Sequence, residues 1–424
     1  MTKVRKPGHP RSTFAAWLLA AVLGCMASAC GLGSHDAARV NADWHRHALT
    51  VGLLEHWLKV APTESGFMRT AFERDWKPIA DQPGYLTEHA RLVFSFTIGY
   101  ELTKDKRYLD AAVRGADFML KQYRDIVHGG FFHRVSPEGK VIHAVKNLYA
   151  HAFALLALSH IARVTGEDRY RAAALQTWNE INSWMRDANG GFRGEAPRDF
   201  SGPAPGVGSQ NPMMHLFEAL LALHDATRDP AALAGAKNIG DFVLYRLLKG
   251  TPDGGGYIPE WYDESWQPLP TRDKGGYVDL GHQFEWVHLL MAAEKRGLSG
   301  VYGQSAERLL KFAVKVGYDE TDGGVFTKMY PDGTVDRSKF WWQQAEGMRA
   351  FLAVSLATGK SDMWRRHEQT YDLVRDQFVD KKNGGWYAKA RGLCDGSGCG
   401  GPQVEPYHMV GMHRDALAVT IANK

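Results

Sequence analysis

From about residue 39 onward, apolar residues recur at intervals of three and four, the mark of helices with one face turned to a core. The pattern predicts twelve helices, near 39–60, 84–102, 105–124, 144–165, 167–187, 212–227, 230–248, 280–296, 301–317, 340–358, 361–378 and 406–422. A glycine followed by an apolar or aromatic residue returns at Gly66-Phe67, Gly130-Phe131, Gly191-Phe192, Gly256-Tyr257, Gly324-Val325 and Gly385-Trp386. The spacings of 64, 61, 65, 68 and 61 residues announce a repeat. Each mark follows an odd-numbered helix, so the unit is a helical hairpin, and six of them closed on themselves make an all-α (α/α)6 barrel. The odd helices carry more charge and are expected outside. The even ones, richer in Leu, Ala, Phe and Trp, are expected to form the inner ring. Paired glycines permit positive φ and suit tight turns feeding short strands such as Gly130-Phe131-Phe132-His133. These loops should gather where the even helices begin. There Phe131, Phe192, Tyr257 and Trp386 either wall a cleft or cap the core.

Composition changes the picture mainly at the ends. Residues 1–29 carry Lys3, Arg5, Lys6 and Arg11, no acid, and an apolar run from Phe14 to Leu23, which reads as a secretory signal and is too short for a membrane span. Ala27-Ser28-Ala29-Cys30 resembles a bacterial lipobox, with Ala27 where Leu is usual. Acylation of Cys30 is therefore expected, with ordinary cleavage after Ala29 as the alternative, and the protein is placed in the periplasm or cell envelope. Loss of this segment takes the formal charge from +4 to zero, which removes any basic footprint for nucleic acid. Cys394 and Cys399 remain; in an oxidising compartment a local disulfide is expected, since a zinc site needs four ligands. Nothing resembling a linker cuts residues 36–424, which are read as one domain. No phosphate-cradling loop motif occurs.

Candidate chemistry falls at the starts of the even helices. His282 and Glu285 lie three apart and share a helix face, as do His215 and Glu218, while Gln343 and Glu346 repeat the spacing with an amide. Asn211 and Asp279 are candidate N-caps and Pro406 a helix start. The histidines then sit at helix N-termini, whose positive dipole favours neutral imidazole. The same level on the other helices supplies Arg91, Tyr149 with His151, Trp342, and Tyr407 with His408. Di-iron sites on facing helices have Glu before His, the reverse of the order here, so neither a metal nor another cofactor is expected. Glycoside hydrolysis needs two carboxyls flanking the bond, whereas these Glu residues look like orienters of their neighbours. Two imidazoles, an Arg and several Trp suit proton abstraction beside a sugar carbonyl, through an enediolate held by positive donors. A glycoside hydrolase on the same barrel and a non-catalytic carbohydrate-binding lipoprotein are the other readings.

The set Arg91, Tyr149 to Phe153, Asn211 to Glu218, Gly281 to Trp286, Trp341 to Glu346 and Pro406-Tyr407-His408 resembles the N-acylglucosamine 2-epimerase superfamily, which includes cellobiose 2-epimerases and mannose or sulfoquinovose isomerases. The resemblance implies an (α/α)6 barrel acting on a mono- or disaccharide without a metal; the chain is expected as a monomer or homodimer that meets a membrane only through the lipid expected at Cys30. It implies His282 and His408 as the catalytic pair, with Arg91, Tyr149, His215, Glu218, Glu285 and Trp342 contacting substrate; His151, Gln343 and Glu346, at the same level of the ring, are further candidate contacts. His151 and Glu285-Trp286 look like the isomerase branch; Trp341 to Glu346 and Pro406-Tyr407-His408 look like the epimerases. One departure stands out. Epimerases usually have Arg three residues after this last His, and here that place is Gly411. Arg414, six residues on, lies roughly 240° round the helix and cannot simply replace it.

Overall fold

The computed structural model describes residues 39–202, 206, 208–393 and 401–421. The predicted leader 1–29, Cys30, and the Cys394 and Cys399 pair lie outside the described residues. Helix α1 runs through Ala42–Leu49, a π-helical turn Thr50–Leu54, and Glu55–Val60. Five hairpins follow from α2 onward: α2 Leu86–Thr103 and α3 Lys106–Phe118, α4 Leu148–Thr165 and α5 Asp168–Trp184, α6 Gln210–Thr227 and α7 Pro230–Phe242, α8 Leu280–Glu294 and α9 Val301–Gly317, α10 Trp341–Thr358 and α11 Ser361–Leu373. Helix α12, Tyr407–Ile421, closes the ring by packing on α1, α2 and α10. The twelve described helices agree with the expected (α/α)6 barrel in number and order.

Even-numbered helices form the inner ring because they are apolar on nearly every face. In α4, fourteen of eighteen residues are buried. That helix is long and apolar enough to cross a membrane, yet its apolar surface is covered by neighbouring helices. The odd helices bury one stripe: Tyr108, Ala111, Ala112, Gly115, Ala116 and Phe118 on α3. Four hairpin corners are built alike, at Thr103-Lys104-Asp105, Thr165-Gly166-Glu167, Thr227-Arg228-Asp229 and Thr358-Gly359-Lys360. The central residue is left-handed and ends the inner helix. The threonine hydroxyl accepts the N–H two residues on, at 3.1–3.3 Å.

At the opposite end each Gly mark pairs back on the chain leaving an outer helix. Bridges join Pro62 to Met68, Arg124 to Phe131, Arg186 to Phe192, Tyr318 to Val325 and Val379 to Trp386, and a two-residue ladder joins Lys249–Gly250 to Gly256–Tyr257. Phe131, Phe192 and Trp386 are buried and Tyr257 packs against Phe312 with the rings tilted by 30°, so these aromatics cap the core. The fourth residue of three inner helices clamps this loop. Gln283 bonds both the N–H and C=O of Ile258, Gln344 both those of Val325, and His151 Nε2 accepts the N–H of Phe131. With the loops held down, the starts of the inner helices face a common cavity.

Candidate active site

A cavity of about 730 Å³ opens at this end. Tyr149, Asn211, Trp342 and His408 reach it from the second position of their helices, and His282 from the third. One turn deeper, the sixth positions hold Arg91, His215, Glu285 and Glu346; the ninth hold Glu218, His288, Arg349 and Asp415. Arg91 and His215 still line the cavity, so polar chemistry extends about one turn below its floor. Trp261, Tyr277 and Trp341 form aromatic walls.

Asp279 caps α8 as expected, accepting from the N–H groups of Gly281 at 2.9 Å and His282 at 3.3 Å. The cap fixes the first turn and so aims His282. Its Nδ1 donates to Glu260 at 2.7 Å. Glu260 also accepts from Gln210 Nε2 at 2.8 Å and Ser209 Oγ at 3.1 Å, and Gln210 is held by the Trp286 indole at 2.6 Å. Burial alone would lower the His282 pKa, but Glu260, Asp279 and Glu285 outweigh it and raise the value to about 10. The helix-terminus argument for a neutral ring is opposed here chiefly by the Glu260 and Asp279 carboxylates. Glu285 is not the orienter of His282; Glu260 is.

His408 meets the opposite balance. Its Nδ1 donates to Glu346 Oε1 at 2.8 Å, while Glu346 Oε2 accepts from His288 at 2.6 Å and both oxygens face Arg349 Nη1 at 3.2 and 3.0 Å. Burial lowers the His408 pKa to about 4, against the pull of Glu346 and with help from Arg91 and Arg349. Its ring is neutral near pH 7, with Nε2 left unengaged by Glu346. The Trp342 indole lies beside both rings, 5.0 Å from His282 and 5.5 Å from His408 between centroids. One cavity therefore holds an imidazolium and an imidazole on one tryptophan.

Arg91 donates to Glu405 at 2.8 Å and to the Tyr149 hydroxyl at 2.6 Å, and lies 4.1 Å over the Phe153 ring. His215 faces Glu218 at 3.4 Å, and the Tyr407 hydroxyl donates to the same carboxylate. Burial and the nearby Glu346 push the Glu285 pKa well up, and among the described residues neither of its oxygens has a hydrogen-bond partner, His215 Nδ1 standing 3.8 Å from Oε1. His215, Glu218 and Glu285, or Glu285, Glu346 and His408, bring ligand atoms within 4.8 Å and are spaced to hold a cation. Glu346, however, already serves two imidazoles and a guanidinium, whose charge opposes a second cation there.

Several expected substrate contacts lie elsewhere. His151 is behind the wall: its Nδ1 donates to Asn147 O at 2.7 Å and its Nε2 takes the Phe131 N–H at 2.9 Å, so both nitrogens belong to the loop clamp. Gln343 turns from the cavity toward the Thr327 carbonyl. Glu218, Glu285 and Glu346 lie beneath the lining residues. Asn211 is not an N-cap; Ser209 caps α6, and Asn211 sits in its first turn facing the cavity. Arg91, Tyr149, His215, His282, Trp342 and His408 come together as expected. Sequence reading missed Glu260, Gln210, Glu405, His288 and Arg349. The last two lie one helical step beyond Glu285 and Glu346, so extending the periodicity would have found them. Glu260, in an irregular loop, carries no such signal.

Known proteins resemble this chain in sequence and fold. The family model for N-acylglucosamine 2-epimerase (GlcNAc 2-epimerase) matches residues 41–410. A D-mannose isomerase of Marinomonas mediterranea is 26% identical over 76% of this chain and 83% of its own length. An N-acylglucosamine 2-epimerase of Bos taurus is 26% identical over 76% and 77%. Among solved structures, the cellobiose 2-epimerase from Spirochaeta thermophila superposes with a TM-score of 0.81 at 21% identity, covering 90% of this chain and 97% of that one.

Proposed function

Because the chain belongs to the N-acylglucosamine 2-epimerase family and is a carbohydrate epimerase or isomerase, we propose that it moves a proton at C2 of an open-chain sugar between His408 and His282. The observation that carries this reading is geometric: two imidazoles, each held through Nδ1 by a buried carboxylate, flank one indole in a single cavity. A two-base reaction needs one ring able to accept a proton and another already holding one. In one direction His408 Nε2 removes the C2 proton, and the electrons of the C–H bond move into an enediolate whose negative oxygen is stabilised by the His282 imidazolium and Arg91. Return of a proton from His282 to the opposite face of C2 gives the epimer; protonation at C1, with the O2 hydroxyl proton passing to O1, gives the ketose. The indoles of Trp261, Trp341 and Trp342 offer apolar faces for sugar C–H surfaces. Each carboxyl lining the cavity already serves the protein, Glu260 holding His282, Asp279 capping α8, Glu405 pairing with Arg91 and Glu195 accepting from Asn147, which disfavours the hydrolase reading.

The test is proton NMR of the protein with mannose, glucose, N-acetylmannosamine or cellobiose in heavy water. Deuterium should enter C2 as epimer or ketose forms, and His408→Ala should lower the rate by at least about 100-fold. Turnover without deuterium entry, or a fully active His408→Ala, would sink the proposal.

A further inference from the structure

The substituent missing at position 411 has a counterpart across the helix interface. A Cβ added to Gly411 on α12 would lie 3.2 Å from Nη1, 3.3 Å from Cζ and 3.6 Å from Nε of Arg349 on α10. The guanidinium occupies the space that a side chain at 411 would take. It is buried, pairs through Nε with Asp415 at 2.8 Å, and faces both oxygens of Glu346 through Nη1. Glu346 in turn splits its oxygens between His408 and His288.

We infer that Arg349, admitted by Gly411, is the positioning residue for His408: it keeps Glu346 ionised and oriented, so that His408 carries its proton on Nδ1 and presents Nε2 to the substrate. The inference rests on the reading of His408 as a base. Its physical content is charge compensation in a dry interior. Glu346 is fully buried beside Glu285, and two such carboxylates do not both ionise without a cation. Arg349 supplies that cation from the side opposite the cavity, where substrate does not compete for it. Without it Glu346 takes up a proton and becomes a donor, and His408 must turn its lone pair inward to accept. The other titratable or charged groups facing this pair are Arg91 on α2, His215 and Glu218 on α6, Glu285 and His288 on α8, and Tyr407, Arg414 and Asp415 on α12. Among the described residues, Arg349 is the guanidinium that bonds Glu346 directly, beside the His288 and His408 imidazoles.

Nitrogen-15 NMR of the histidine rings in the full chain tests this without any sugar, with His408→Ala assigning the resonance. Wild type should show His408 as the Nδ1–H tautomer at pH 7. Arg349→Met should convert it largely to the Nε2–H form, Arg349→Lys should restore it in part, and Gly411→Ala, which leaves every charge in place but crowds the guanidinium, should fall between. In turnover, Arg349→Met should lower kcat about 100-fold with KM nearly unchanged. The acid limb should move to higher pH, because Glu346 must first lose its acquired proton. A folded Arg349→Met protein with the wild-type tautomer and acid limb would overturn the inference. If that variant does not fold, Gly411→Ala decides it, and an unchanged tautomer and limb there overturn it equally. An Arg349-dependent tautomer in a protein that turns over no sugar would remove the epimerase reading and leave this one standing.

Discussion

Glu260 and Glu346 accept the Nδ1 proton of His282 and His408 at nearly the same distance, 2.7 and 2.8 Å, yet the two rings differ in charge. The difference lies one residue further out. Glu346 is neutralised by Arg349, so His408 sees a balanced pair and burial decides its state. Glu260 has amide and hydroxyl donors but no guanidinium, and Asp279 adds to the negative surroundings, so charge decides for His282. This predicts the effect of Glu260→Gln. Removing the carboxylate lets burial lower the His282 pKa from about 10, so the proton donor is lost at lower pH. The alkaline limb of kcat/KM should move down by more than about one pH unit, while the acid limb set by His408 stays in place. An alkaline limb that does not move would mean that His282 is not the group being titrated.

His151 shows how position within an element decides a role that residue type suggests wrongly. It is a histidine near the start of an inner helix, like His282 and His408, but it occupies the fourth position, which Gln283 holds in α8 and Gln344 in α10. All three bond the carbonyl four residues back, of Asn147, Asp279 and Phe340, and all three reach the backbone of the Gly loop. His151→Gln should therefore keep stability within about 1 kcal/mol and leave substrate KM unchanged. His151→Ala, which leaves the buried Phe131 N–H without a partner, should cost about 1–3 kcal/mol in urea denaturation. A KM raised tenfold in a stable His151→Gln protein would return this residue to the substrate site. The case also marks what periodicity can deliver. Helix order, ring assignment and the Gly-loop repeat follow from the 3.6-residue period, because burial of a stripe leaves a trace at every turn. A one-residue change of register does not alter that trace, yet it separates a cavity-facing ring from a clamp. Glu260 is held by the Tyr277 and Gln210 backbones in a loop with no period, so only tertiary structure brings it to His282.

At the scale of the whole barrel, the last helix must find the first, and the seam they share is built from neutral histidines. His45 of α1 and His413 of α12 meet Nδ1 to Nδ1 at 2.9 Å, one donating and one accepting, fully buried, with His367 of α11 close enough to act on His45. Burial lowers the pKa of His413 to about 3 and of His367 to about 4; in His45 burial and both neighbours push the same way. In the unfolded chain each titrates near about 6.5. The folded state thus binds fewer protons between those values. The contribution of these groups to stability is complete above about pH 6.5 and declines below it, by up to about 1.4 kcal/mol per pH unit for each group. Other buried histidines, His89 and His160 among them, add to the same slope, so the melting temperature should fall steeply between pH 7 and pH 5. The double substitution His45→Phe with His413→Phe distinguishes the seam from that background. It replaces both hydrogen-bonding partners with apolar rings of similar shape, which is close to neutral above pH 7, and it removes two of the groups that must charge. The double variant should match wild type at pH 7.5 and be the more stable of the two at pH 5. Equal acid slopes would show that the barrel gives way elsewhere before its first and last helices part.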